Sequence, residues 1–86
     1  MITLFQREGC PYCQPVRLLL TELNITYINA NVTKPRNERT ELIAATGSKF
    51  IPAIVDGDVV IPGVLEDNTA VLAYLREKYA VTGSAT

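Results

Sequence analysis

The sequence contains no histidine and no tryptophan, and only two of its 86 residues are cysteine. The lack of histidine excludes a cysteine–histidine hydrolase and any metal site with an imidazole ligand. Two cysteines are too few for a disulfide-stabilised secreted domain, and without a second pair they cannot form a four-cysteine zinc site. We therefore expect no bound metal, and a catalytic use of both thiols in a reducing compartment.

Charge and hydropathy exclude further classes of partner and location. Eight basic side chains face nine acidic ones, and no basic excess indicates a nucleic-acid partner. No apolar run approaches the roughly 20 residues that span a bilayer, and residues 1–4 lack the basic region of a signal peptide. The sequence predicts one small cytoplasmic domain, monomeric, with no membrane or nucleic-acid partner.

Hydrophobic periodicity and turn residues predict seven elements. The strands are expected at Ile2–Gln6, 25–30, 50–55 and Val59–Ile61, and the helices at 11–23, 33–47 and 67–79. Asp56-Gly57 between the last two strands is a hairpin signal. The order β-α-β-α-β-β-α predicts an α/β fold with a four-stranded mixed sheet flanked by helices. Residues 1–79 form the predicted domain and 80–86 a C-terminal tail.

The run Cys10-Pro11-Tyr12-Cys13 holds both thiols, between the first strand and the first helix. Side chains three positions apart lie close together in a helical turn. Backbone N–H groups and the positive end of the helix dipole stabilise a thiolate there. This pattern indicates a reversible dithiol/disulfide pair.

Three separated segments resemble dithiol glutaredoxins of the thioredoxin-fold superfamily: residues 5–13 with the CPYC motif, residues 46–52 leading to Pro52, and the pair Asp67-Asn68. Residues 67–75 also resemble the N-terminal domain of glutathione S-transferases, which carry a helical second domain. One departure is residues 61–66, where glutaredoxins have a Gly-Gly pair in a loop about two residues shorter.

The resemblance implies a thioredoxin-like fold, an electron-transport role and glutathione as co-substrate. The enzyme would reduce protein disulfides and protein–glutathione mixed disulfides. Cys10 would be the nucleophile, with Arg7 as the nearby cation, and Cys13, one turn further in, the buried resolving thiol.

The remaining implied residues would bind glutathione. Pro52 would follow a cis bond, with Ile51 offering its backbone to the cysteinyl unit and Tyr12 packing beside it. Lys49 and Arg39 would meet the glycyl carboxylate, although both also fit solvated charges. Tyr12 also fits an exposed turn aromatic. Asp67 and Asn68 would bind the γ-glutamyl end of glutathione. Asp67 also fits a simple helix cap. The residue before this pair, Glu66, is expected to face solvent.

Three other functions stay open. A thioredoxin-like reductant served by a thioredoxin reductase would not be reduced by glutathione. A glutathione- or iron–sulfur-cluster-binding module would lack turnover. A separate transferase domain would lack the electrophile pocket that conjugation needs.

Overall fold

Strand β1 (Ile2–Gln6), one of the two inner strands of the sheet, is buried on both faces. Ile2 and Leu4 belong to a hydrophobic cluster with residues of the first and last helices, whereas Phe5 belongs to a second cluster with Leu42 and Ala53. Alternate side chains of a strand point to opposite faces, so β1 contributes to a core on each side. The computed structural model describes residues 1–80.

The elements follow the order that the sequence predicts. They are β1, α1 (Gln14–Glu22), β2 (Tyr27–Asn31), a 3-10 turn (Arg36–Glu38), α2 (Thr40–Thr46), β3 (Ala53–Asp56), β4 (Val59–Ile61), α3 (Thr69–Leu75) and a π-helical turn (Arg76–Ala80). The sheet order is β2-β1-β3-β4; β1 pairs with β2 in parallel, and the other two pairs are antiparallel. The predicted four-stranded mixed sheet is confirmed.

Helix α1 begins three residues later than predicted. The carbonyl of Cys13 accepts hydrogen bonds from the N–H groups of Val16 and Arg17, both at 3.1 Å, which makes Cys13 the N-cap. Pro15, not Pro11, occupies the first turn of the helix. A proline is tolerated there because first-turn N–H groups have no partner within the helix.

The second helical segment is split in two. A 3-10 turn ends at Arg39, whose backbone (φ −87°, ψ 65°) is not helical, and α2 begins at Thr40. Gly47 ends the helix with a φ of 77°, as the sequence predicts. Strand β3 begins at Ala53 rather than residue 50, because Pro52 has no N–H to donate to a strand ladder.

The β3–β4 hairpin forms as predicted, with its loop one residue later than the Asp-Gly signal suggested. Asp56 pairs with Val59, which leaves Gly57 and Asp58 in the loop, and Gly57 supplies a φ of 62° at the first loop position. Helix α3 starts at Thr69 rather than residue 67, since the Asp67 carboxylate accepts the Thr69 N–H at 2.8 Å.

The C-terminal turn is tied to this hairpin by Asp56. Its carboxylate accepts hydrogen bonds from the hydroxyls of Tyr74 (2.7 Å) and Tyr79 (2.5 Å) and pairs with the Lys78 ammonium at 3.1 Å. The Tyr79 bond, with those from Tyr74 and Lys78, lowers the pKa of Asp56 to about 2. One carboxylate therefore joins the last helix to the sheet.

Within residues 1–80, every helix is too short to cross a bilayer. The predicted tail, residues 80–86, lies outside the described residues except for residue 80, which closes the π-helical turn.

Candidate active site

Cys10 lies in the wall of a cleft of about 240 Å³. Five residues that the sequence predicted for the site line it: Arg7, Cys10, Tyr12, Arg39 and Ile51. Sequence reasoning assigned no ligand role to six others: Gly9, Pro11, Arg36, Phe50, Leu65 and Glu66. Glu66 was expected to face solvent, and it is exposed while bordering the cleft.

The two thiols differ in exposure. Cys10 is half-buried and Cys13 is fully buried, and neither is in a disulfide. Burial chiefly, together with the neighbouring Cys10 thiol, raises the pKa of Cys13 to about 12. Cys13 is therefore a neutral thiol behind the cleft, while Cys10 borders the open space.

The CPYC segment is a turn rather than the start of the helix. The N–H of Cys13 bonds to the carbonyl of Cys10 at 3.2 Å, and the N–H of Cys10 bonds to that of Arg7 at 3.1 Å. The expectation that both thiols sit in the first helical turn is wrong, because Cys10 precedes the N-cap by three residues. The residue before a proline avoids the helical region, and Cys10 precedes Pro11.

Arg17, which the sequence did not single out, supports this turn from below. Its guanidinium donates to the side chain of Gln6 and, at 3.4 Å, to the carbonyl of Arg7, and it pairs with Glu8 at 3.6 Å. Gln6 is fully buried at the end of β1. A buried polar group at that place needs partners, and Arg17 supplies one. A glutamine at the end of an apolar strand was the available signal.

Arg39 is buried, contrary to the picture of a solvated charge. Its guanidinium donates to the carbonyls of Thr33 (2.7 Å), Lys49 (2.8 Å) and Lys34 (3.1 Å). These bonds join the loop before the 3-10 turn to the segment before Pro52. Arg39 thus builds the wall of the site, and its contact with a ligand stays a prediction.

A second, larger concavity of about 560 Å³ adjoins the cleft. We call it the basic bay, and it is lined by Arg7, Lys34, Arg36, Asn37, Arg39 and Lys49. All three arginines of the bay, at positions 7, 36 and 39, line the cleft as well. The cations come from three stretches of sequence, at position 7, over residues 34–39 and at position 49, and folding brings these stretches together.

The Ile51–Pro52 peptide bond is cis, as the resemblance implied. The backbone that leads to it packs against Gly63, where an added Cβ would lie 1.9 Å from the Phe50 carbonyl oxygen. The Ser48 hydroxyl donates to the Gly63 carbonyl at 2.8 Å and accepts the Phe50 N–H at 3.2 Å. The loop that departs from the glutaredoxin pattern is therefore fixed to residues 48–51, which lead to the cis-proline and which we call the floor of the site.

Asp67 and Asn68 do not line the thiol cleft. They border a small depression of about 20 Å³ that Pro52 also lines. The Asn68 amide donates to the Tyr12 carbonyl at 3.0 Å and so links α3 to the CPYC turn. Hydrogen bonds from Thr69 lower the pKa of Asp67, as for a carboxylate that caps a helix. Over residues 1–80 no cluster of three or more potential metal ligands forms.

Comparison with known proteins identifies the family. The model of the glutathione S-transferase N-terminal domain matches residues 4–83. The chain belongs to this family. The glutaredoxin resemblance of the CPYC segment is not what these comparisons return, whereas the transferase resemblance of residues 67–75 agrees with them.

Curated relatives carry the same name. A glutathione S-transferase domain-containing protein of Dictyostelium discoideum is 32% identical over 82 residues, covering 88% of this chain and 32% of that protein. A zeta-class glutathione S-transferase of Euphorbia esula is 33% identical over 73 residues, covering 85% and 31%. The chain spans about a third of the length of these relatives.

Solved structures agree in fold. A glutathione S-transferase from the Antarctic clam Laternula elliptica superposes with a TM-score of 0.76 at 30% identity, over 92% of this chain and 35% of that one. A transferase homologue from Drosophila mojavensis with bound glutathione gives 0.74 at 26% identity, over 91% and 35%. The thioredoxin-like fold of the transferase N-terminal domain is thereby confirmed.

Proposed function

We propose that this domain is a glutathione-dependent thiol–disulfide oxidoreductase, with Cys10 as the nucleophile and Cys13 as the resolving thiol. The observation that carries the proposal is the difference in exposure between the two thiols. Cys10 borders the cleft, and Cys13 is fully buried behind it. Exchange requires direct access of a thiolate to the sulfur it attacks, so Cys10 meets the substrate first.

Reduction of a protein–glutathione mixed disulfide needs Cys10 alone. The Cys10 thiolate attacks the glutathione sulfur, a Cys10–glutathione disulfide forms, and the protein leaves as a thiolate that takes up a proton. A second glutathione thiolate then attacks the glutathionyl sulfur. Cys10 is released as a thiolate. The product is oxidised glutathione, which now holds the disulfide bond that the substrate brought.

Reduction of a protein disulfide uses both thiols. Cys10 forms a mixed disulfide with the substrate, and the second substrate sulfur leaves as a thiol. Cys13 then loses its proton and attacks the Cys10 sulfur, so the substrate is released fully reduced and a Cys10–Cys13 disulfide remains for two glutathiones to reduce. Conversion of Cys10 to a disulfide removes the thiol that helps to raise the pKa of Cys13, which favours this second step.

Glutathione would lie across the cleft, with its thiol toward Cys10. The cis-proline segment supports this placement because Ile51 lines the cleft beside Cys10 and Tyr12. An extended peptide unit pairs with such an exposed backbone edge. Of the two cations proposed for the glycyl carboxylate, Lys49 is exposed, while Arg39 already holds three carbonyls.

The γ-glutamyl end would reach Asp67 and Asn68. Pro52 lines their depression and directly follows Ile51, which lines the cleft, and the Asn68–Tyr12 hydrogen bond links α3 to the CPYC turn. The bound glutathione named for the Drosophila mojavensis structure supports the ligand class.

A second candidate is glutathione transfer to an electrophile, which the names of the relatives favour. We propose it only for a longer protein of which this domain would be part, because the chain spans about a third of those relatives. We expect the isolated domain not to conjugate a standard aryl halide.

The test is reduction of a glutathionylated peptide, coupled to NADPH through glutathione reductase. Wild type, Cys10→Ser and Cys13→Ser are compared. We expect turnover in wild type and Cys13→Ser and none in Cys10→Ser. With a protein disulfide as substrate, both variants should lose turnover.

Three results would contradict the proposal. Activity retained in Cys10→Ser would remove the assigned nucleophile. An oxidised domain that only a thioredoxin reductase reduces would indicate a thioredoxin-like reductant. Visible absorbance after anaerobic iron–sulfur reconstitution, without turnover of either substrate, would indicate a cluster-binding module.

A further inference from the structure

We propose that the basic bay binds an acidic peptide segment next to the disulfide of the substrate protein. The inference rests on the proposed function for the chemistry and adds the substrate class. The bay and the thiol cleft are continuous, because Arg7, Arg36 and Arg39 line both. A chain whose sulfur reaches Cys10 therefore has room to extend into the bay.

The positive charge of the bay is not compensated by the protein. Among residues 1–80 the ion pairs are Arg17–Glu8 and Lys78–Asp56, so none of the bay's cations has a carboxylate within 4.0 Å. Five of the domain's eight basic side chains line this one concavity, although the net charge of the whole chain is −1. An external anion is what completes it.

The cations are held in place rather than spread over a surface. The charges of Arg36 and Lys49 lie 5.5 Å and 5.8 Å from the centre of the Phe50 ring. Arg39 donates to the backbone carbonyls of both Lys34 and Lys49, two other residues that line the bay. Burial, followed by the charges of Arg7 and Arg36, lowers the pKa of Arg39, which agrees with a region of positive potential.

The shape of the bay favours a peptide over glutathione or a nucleic acid. Glutathione brings one carboxylate to this side, whereas five cations are present. At about 560 Å³ the bay is larger than the cleft, at about 240 Å³, and it extends along Lys34 and Asn37, which do not line the cleft. The residues that line the bay include no aromatic side chain, and the Phe50 ring beside it already contacts two of its cations, which leaves little for bases to stack on.

The test uses two peptides that differ only in the residues flanking one glutathionylated cysteine. One has aspartate and glutamate there, the other asparagine and glutamine. The ratio of their kcat/KM values is measured in the wild type, in Lys34→Glu and in Arg76→Glu. The Arg76 variant is the matched control, since it makes the same charge change at the end of α3, outside the bay. Labelled peptides with serine in place of cysteine report binding by fluorescence anisotropy.

We expect the acidic peptide to be preferred by about tenfold at low salt, as several exposed ion pairs of modest strength would give. Lys34→Glu should lower that ratio by about threefold, and Arg76→Glu should leave it unchanged. The preference should shrink with added salt, because screening shortens the range of the charges.

Binding and turnover separate the two proposals. Equal binding of the two peptides, or the same loss in Arg76→Glu as in Lys34→Glu, would overturn the inference. So would tighter binding of a single-stranded oligonucleotide of equal length, which would assign the bay to nucleic acid. A binding preference without turnover of either peptide would support the bay and overturn the redox function instead.

Discussion

Replacement of Gly63 by alanine should disrupt the floor of the site. An added Cβ would lie 1.9 Å from the Phe50 carbonyl oxygen, 2.3 Å from its carbonyl carbon and 2.9 Å from the Ile51 nitrogen. All three contacts are with backbone, which cannot swing aside as a flexible side chain does. The segment that precedes the cis-proline or the loop that carries Gly63 must therefore move.

Overpacking of this kind costs roughly 1–3 kcal/mol, and we place Gly63→Ala at about 3 kcal/mol because the obstacle is backbone. For a domain of this size, each kcal/mol shifts the melting temperature by about 4–8 °C, so the loss is easily measured by thermal or urea unfolding. The matched control is Gly9→Ala. Nothing lies within 4 Å of a Cβ at that position, and the change should stabilise slightly or have no effect. Equal stability of the two variants would refute the reasoning.

Three further changes test other parts of the structure. Asp56→Asn should destabilise the domain by about 1–2 kcal/mol at neutral pH. The pKa of Asp56 is lowered from 3.8 to about 2 in the folded state, so this stability is present above pH 3.8 and is lost as the pH falls toward 2; urea unfolding of wild type and variant should converge there. Arg39→Gln should cost about 2–4 kcal/mol because three carbonyls lose a charged donor, and a loss no greater than that of the exposed Lys34→Gln would contradict this. In the native domain at neutral pH, iodoacetamide should label Cys10 well before Cys13, as mass spectrometry of the digested protein would report; equal labelling would contradict the burial of Cys13.

Much of the fold could be predicted because local signals and burial agree. The apolar run of β1, the glycine that ends α2 and the Asp-Gly signal of the hairpin all act over a few residues. The start of α1 was less predictable, because two prolines each mark a possible first turn. Pro11 and Pro15 both suit a first helical turn, and only the hydrogen bonds of the Cys13 carbonyl decide between them.

The placement of Cys10 at the cleft and the burial of Cys13 were predictable, because both follow from one short segment. The site was not predictable where it depends on how neighbouring segments fold onto one another. The burial of Arg39 requires three carbonyls, from segments on both sides of it in the sequence, to converge on its guanidinium. The support of Arg17 for the CPYC turn passes through Gln6 and needs the geometry of β1 against α1. The basic bay likewise exists only after folding.

The most direct test of the central claim is to trap the first covalent intermediate. Each single-cysteine variant is incubated with oxidised glutathione, and the intact mass and the modified residue are determined by mass spectrometry. The account predicts rapid formation of one glutathione adduct on Cys10 in Cys13→Ser, and little or none on Cys13 in Cys10→Ser. Adducts that form equally fast on both thiols, or faster on Cys13, would contradict it.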